Sequence, residues 1–241
     1  MSDLTLPGWA QELRNRYLAG EASLFMVHGN VRDLVPWTVG QKTDWVDLRT
    51  FLHRFLQRTR EVVVTYDISQ GLTFPSRAEQ RRFQTVVDAG RAMKGEPSLE
   101  VLPQSPSGAI EVIEQLITNP SVPSGVIIDF FEMIAPRGDV SFMTTDDRAN
   151  LVSLQRWSSD PRFLATDNLV ILVTEHLSDV ERRVLASPQL ATVLVPFPDR
   201  ETRQAFLEDE DTSVQMEMDL PNLAKVTAGL SLMQILSLIH I

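Results

Sequence analysis

Asp129 closes the uncharged apolar run Gly125-Val-Ile-Ile-Asp129, with Phe130, Phe131 and Glu132 behind it. Such a run reads as a strand buried on both faces of a parallel sheet. Its last residue emerges at the carboxyl edge, where open α/β sheets bind ligands. A carboxylate there can hold Mg²⁺, directly or through water, when a glycine-rich loop ending in Gly-Lys-Ser or Gly-Lys-Thr grips the phosphates of a ligand. The chain contains no such loop, and its lysines, Lys42, Lys94 and Lys225, do not follow a glycine. The bland use of the same acid is to cap a neighbouring loop or helix amino terminus.

Other chemistries have less to work with. The absence of cysteine removes disulfides, thiolate nucleophiles and zinc–thiolate sites, and it suits a reducing compartment. His28 and His53 stand apart from any zinc-ligand spacing, and no Gly-x-Ser-x-Gly elbow is present. With 32 acids against 22 bases the net charge is −10, a field that repels polyanions. The densest basic stretch, Arg77, Arg81, Arg82, Arg91 and Lys94, is interrupted by Glu79 and Asp88 and reads as a solvated helix face. Glu208 to Asp211 form an acidic run at an exposed loop or helix end. Met1 to Trp9 lack a basic apolar leader, and the apolar stretch Leu230 to Ile241 is too short to span a bilayer. A cytoplasmic protein without nucleic-acid or membrane partners is expected.

The elements that must position Asp129 follow from period and punctuation. With 241 residues and 43% hydrophobic content the chain can bury one substantial core. Leu6, Trp9, Leu13 and Tyr17 recur at helical spacing before Ala19-Gly20. Ala22 to Val27 reads as a strand closed by His28-Gly29-Asn30. Asp44 is the expected N-cap of a helix whose apolar face is Trp45, Leu48, Leu52, Phe55 and Leu56, and Glu61 to Asp67 is a second strand. Ser76 with Glu79 forms a capping box for a helix facing inward through Phe83, Val86, Val87, Gly90 and Met93. Another helix spans about Ala109 to Ile117, and the third strand is Val126 to Phe131. Leu151, Leu154 and Trp157 suggest a further helix before the uncharged strand Asn168 to Thr174. A second capping box, Ser178 with Glu181, opens a helix before the last strand, Thr192 to Val195.

Strands separated by helices require parallel pairing with right-handed crossovers. The expected class is α/β, a doubly wound five-stranded parallel sheet. The expected division is a leading helix over 1–19, the core over 20–196, and the start of a helical lid over 197–241.

The order of these segments resembles the AAA ATPase superfamily. The resemblance rests on the Asp-ended strand Gly125 to Asp129, the polar-ended strand Asn168 to Thr174, the arginines Arg182 and Arg183, and the junction Val195-Pro196-Phe197-Pro198-Asp199-Arg200-Glu201. Thr227-Ala228-Gly229-Leu230-Ser231 is similar to the start of that family's late lid helix. The resemblance implies that Asp129 is the Walker B-like acid and Mg²⁺ ligand, that Thr174 or Glu175 lies near the first sensor, and that Arg182 and Arg183 stand where arginine fingers occur. It also implies that Gly29, Asn30 and Arg32, in His28-Gly29-Asn30-Val31-Arg32-Asp33, stand at the phosphate-loop position.

Two departures bear on activity. The loop lacks the lysine that would grip the β- and γ-phosphates. Phe130 follows Asp129 where hydrolysing members place a glutamate, and Glu132 would lie on the other strand face from Asp129. The pattern resembles the degenerate first module of a tandem AAA protein whose intact module follows. ATP and Mg²⁺ then belong to the full protein, and this segment serves contacts to an adjacent AAA module or to protomers in a ring. The chain is expected to stop inside a lid helix, and its final Leu236 to Ile241 resembles translated adapter read-through. A receiver-like signalling domain also places an Asp after its third strand and a Thr after its fourth, but here the first strand ends in His28-Gly29 rather than an acidic pair. A purely structural interaction module is the third reading.

Overall fold

The computed structural model describes residues 4–209 and 219–239. The acids Glu210 and Asp211, and His240, lie outside the described residues. In chain order the elements are β1 (Leu4–Thr5), α1 (Gly8–Leu18), β2 (Leu24–Gly29), β3 (Leu34–Val39), β4 (Lys42–Asp47), α2 (Leu48–Gln57), β5 (Val62–Asp67) and β6 (Gly71–Thr73). They continue with α3 (Arg77–Met93), α4 (Pro106–Ile117), β7 (Ser124–Ile128), α5 (Thr145–Trp157), α6 (Pro161–Leu164), β8 (Leu169–Thr174), α7 (Arg182–Leu185) and β9 (Leu190–Val195). Three helices close the described chain: α8 (Arg200–Asp209), α9 (Leu220–Val226) and α10 (Leu232–Ile239).

A six-stranded sheet runs β6-β5-β7-β8-β2-β9. Five of these strands are the expected parallel set, and β6 is an antiparallel edge strand paired to β5. Numbered along the chain, the parallel strands lie in the order 2-3-4-1-5. A receiver-like fold requires 2-1-3-4-5, so this order rules that alternative out. The chain advances across the sheet through β5, β7 and β8, then steps over β2 to β9. That reversal is where such sheets open a crevice.

Alternation along the strands divides the core. Val64, Tyr66, Val126, Ile128, Val170 and Leu172 pack with α3, α4 and α5 through Phe83, Ile113, Leu116 and Trp157. Their strand neighbours Val63, Ile127, Ile171 and Val173 pack on the other face with α1 and α2 through Trp9, Leu13, Phe51 and Leu52. Burial on both faces explains why β5, β7 and β8 are apolar runs rather than alternating ones.

Several local expectations need correction. Residues 34–47 form an antiparallel hairpin, which joins β1 in a separate three-stranded sheet. The N-cap of α2 is therefore Asp47, which accepts from the Thr50 amide at 2.9 Å, and not Asp44. Trp45 sits in β4 and packs edge-on against Phe206 of α8. Ser76 caps α3 as expected, but the Glu79 side chain accepts from Gln57, so the reciprocal half of that box is missing. Met93 is exposed beyond the apolar face of α3. Ser178 opens no helix; Glu181 caps the four-residue α7 instead. The strand before Asp129 ends at Ile128, and Phe131–Met133 is a 3₁₀ turn, so Glu132 does not lie on a strand face.

The last three helices form a small core of their own. Phe206, Leu207, Ala224, Leu232 and Ile235 are buried together, with Leu34 and Trp45 of the hairpin packed against them. Arg203 ties α8 to α9, donating to the Ala224 carbonyl through Nε and Nη2 at 3.0 and 2.9 Å. Among the described residues no helix is long and apolar enough to cross a membrane.

Candidate functional site

The carboxyl ends of β2, β5, β7 and β8 deliver Arg32, Asp67, Asp129 and Glu175 to one rim, and α2 adds Arg49. These residues form one ion-pair network. Asp129, 6% exposed, accepts from Arg32 Nη1 on Oδ1 at 2.7 Å and from Arg49 Nη2 on Oδ2 at 3.2 Å. Its Oδ1 also accepts the Phe130 amide at 2.8 Å. Arg32 reaches Glu175 through Nε at 3.3 Å, and Arg49 reaches Asp67 at 2.9 Å. Both Asp129 oxygens are thus engaged by guanidinium groups.

Phe130 contributes to the same network. It has φ +50°, the only non-glycine described with a left-handed backbone. Strain of this kind persists where surrounding contacts hold it, at a cost of about 1–3 kcal/mol. Here the ring is turned under the Arg32 guanidinium, 3.7 Å from ring centroid to Cζ, so a cation–π contact joins the ion pair in fixing Arg32.

The loop after β2 turns its amides into the protein. The Gly29 amide donates to the Glu175 carbonyl at 3.0 Å, Asn30 to Val195 at 2.9 Å and Val31 to Gly29 at 2.8 Å. A phosphate cradle uses amides of this kind, pointed outward at the start of a helix. After this loop the chain enters β3 and not a helix. Gly29 has φ +98°, and a Cβ placed on it would lie 2.6 Å from the Val195 carbonyl oxygen, so glycine serves close strand packing here. The Asn30 side chain donates to Asp33 at 2.7 Å.

Between these groups lies a cavity of about 190 Å³ lined by Arg32, Asp33, Asp47, Arg49, Asp129 and apolar neighbours. Sites for drug-sized ligands hold about 300–1,000 Å³, so the space is small for a nucleoside triphosphate. A divalent ion does not fit the donor set either. Mg²⁺ prefers six oxygens at about 2.0–2.1 Å, whereas Asp129 already faces two guanidinium groups. Among the described residues no three acids or histidines are grouped to hold a metal.

Electrostatics consolidate the pairs. Burial pulls the Arg49 pKa down, but hydrogen bonds to Asp129 and Asp67 outweigh it, and the pKa lies above its ordinary value. Burial pushes Asp67 up, and hydrogen bonds from Ser69, Gln70 and Arg49 bring it below the usual carboxylate range. His53, behind Arg49, has its Nε2 2.6 Å from Thr65 Oγ1. Its pKa is lowered by burial and then by Arg49, against a smaller opposing pull from Asp47; burial also lowers His28.

A folded-state pKa below the unfolded one stabilises the fold above the unfolded value, and that stability is lost as pH falls through it. The thermal midpoint should therefore drop as pH falls from 7.5 to 5, because the unfolded chain takes up protons near pH 6.5 that folded His53 and His28 refuse. His53→Gln should flatten the drop without abolishing it, since His28 titrates too. A profile identical to wild type would show that His53 is not held neutral by its surroundings.

The other sequence candidates lie apart from this network. Thr174 is buried at the end of β8 beside His28, and its hydroxyl donates to the His176 carbonyl at 3.4 Å; the neighbouring Glu175 is the one that reaches Arg32. Arg182 and Arg183 are exposed on α7, with Arg183 Nε 3.9 Å from Glu181. Sequence reasoning passed over Arg49 and Asp67. Asp67 carried a readable signal, since Val62–Asp67 is the same kind of apolar run ending in an acid; Arg49 carried none.

The sheet order, with its crevice at the carboxyl rim, defines a Rossmann-like α/β domain. A family model described as "AAA+ chaperone, N-terminal Rossmann-like domain" matches residues 3–196, and the chain belongs to this family. No curated protein matches the sequence. Among solved structures, the chain is similar to a chain of the E. coli MS115-1 HORMA:CdnC:Trip13 complex, with 13% identity and a TM-score of 0.53. The match covers 91% of this chain and 65% of that one, which supports a shared fold.

Proposed function

We propose that this chain is a non-hydrolysing AAA-like module of a larger ATPase, and that it contributes contacts to an adjacent AAA module or to neighbouring protomers in a ring. AAA+ proteins bind ATP with Mg²⁺. In this reading that chemistry belongs to another module, and the rim described above is a structural remnant of it. The observation that carries the reading is the double pairing of Asp129 with Arg32 and Arg49. To receive Mg²⁺, Asp129 would have to release both guanidiniums, and the loop after β2 would have to break three main-chain hydrogen bonds. Neither change is compensated by a lysine in the loop.

Residues 20–196 are the core of this module on this reading, and the helices from Arg200 onward are its lid. Arg182 and Arg183, exposed on α7, suit a contact in trans. Net charge −10 argues against a nucleic-acid partner. Crystals grown with millimolar Mg²⁺ and a non-hydrolysable ATP analogue test the proposal. The expected structure keeps Arg32 on Asp129 and shows no triphosphate at the rim. A triphosphate seated on Gly29 to Arg32, with Asp129 turned to a metal, would overturn it.

A further inference from the structure

A second cavity lies at the opposite end of the sheet from the rim, on the face covered by α1 and α2. It encloses about 620 Å³, within the range of about 300–1,000 Å³ typical of small-molecule sites. Its floor is apolar, from Leu6, Leu13, Phe55, Leu56 and Leu169. Three arginines also line it: Arg14 from α1, and Arg58 and Arg60 from the turn into β5. The one acid among the lining residues is Asp167, which is exposed; its main-chain carbonyl accepts the Tyr17 hydroxyl at 2.9 Å.

These arginines differ from most others in the chain. Arg32, Arg49, Arg54, Arg82, Arg91, Arg156 and Arg162 all have carboxylate partners. Arg14 and Arg58 are exposed and make no ion pair with any described residue. Arg60 stacks over Tyr17, 5.1 Å from ring centroid to Cζ, yet its Nε is buried without a hydrogen-bond partner. Its Nη1 has only the Thr59 carbonyl at 3.4 Å. A buried donor left unsatisfied is unfavourable. Three guanidiniums with no carboxylate partner among the described residues, set around an apolar floor in a chain of net charge −10, form a local site for an anion with an apolar body.

We propose that this cavity binds a small amphipathic acid, its hydrocarbon part on the leucine and phenylalanine floor and its carboxylate on Arg58, Arg60 and Arg14. The site is independent of the rim network, so it stands or falls separately from the function proposed above.

Calorimetric titration with decanoate, and with decanol as its neutral counterpart, tests it on the whole chain. Decanoate should bind saturably, about tenfold or more tighter than decanol, a ratio within reach of charge-assisted hydrogen bonding. The double variant Arg14→Glu/Arg58→Glu should weaken decanoate about tenfold or more and leave decanol unchanged. Both side chains are exposed and form no ion pair with a described residue, so the variant should melt like wild type, which circular dichroism checks. Equal affinity for acid and alcohol, no decanoate binding at millimolar concentration, or unaltered decanoate affinity in the charge-reversed variant would each overturn the proposal.

Discussion

Asp129→Ala is expected to lower unfolding free energy by about 2 kcal/mol, between the ~3–5 for breaking a buried ion pair and the ~1 of a surface pair. The middle value follows from exposure: Asp129 is 9% exposed in its side chain, but Arg32 and Arg49 are 32% and 27% exposed, so water screens part of what they lose. Removing the carboxylate leaves two guanidiniums facing each other across the same gap, with Glu175 and Asp67 as their remaining acids. Asp129→Asn should cost less, because its carbonyl still accepts one hydrogen bond. Urea unfolding measures both. The reading of Asp129 as a structural hub fails if the alanine variant unfolds at the wild-type midpoint.

Asp33→Ala is the second large effect, expected at about 2–3 kcal/mol, the sum of a lost helix cap and buried donors left unpaired. Asp33 is 4% exposed and serves four donors. Its oxygens accept the amides of Leu232 and Met233, both at 2.9 Å, at the amino terminus of α10. They also accept Asn30 Nδ2 at 2.7 Å and the Leu34 amide at 2.8 Å. One carboxylate therefore joins the loop after β2 to the last described helix, some 200 residues later in the chain. Ser231 and Gln234 cap the same helix reciprocally, so α10 should survive as a helix but loosen from the core. Hydrogen exchange should quicken far more at the amides of Leu232 and Met233, which lose their acceptor, than at those of β7 and β8. Uniform quickening would place Asp33 in global stability and not in this one joint.

The sheet was largely legible because its central strands β5, β7 and β8 are buried on both faces. Val126 to Ile128 and Leu169 to Thr174 contain no charge, and helices with clear apolar periods separate the parallel strands. The β3–β4 hairpin was not, for two local reasons. Pro36 stands inside β3, paired with Trp45, where proline argues against a strand. The spacing of Trp45, Leu48 and Leu52 also imitates a helix face, although only the last two belong to α2. The signal passed over was Gly40, at φ +63° in the turn between the two strands.

The site divides in the same way. Asp129 and Arg32 were each visible, one as a strand-end acid and the other as part of a loop without lysine. Their contact joins residues 97 apart, and that of Asp129 with Arg49 spans 80. No periodicity reports such a meeting. An absent lysine is a property of sequence, whereas two arginines closing on the acid is a property of the folded rim.

Calorimetric titration of the chain with Mg-ATP tests the central claim most directly, because it asks whether the rim yields to a triphosphate. No saturable heat up to millimolar nucleotide is expected, and Arg32→Ala should not create a site, since the amides of Gly29, Asn30 and Val31 remain committed to the main chain. Micromolar binding by the wild-type chain, accompanied by release of phosphate, would contradict the account.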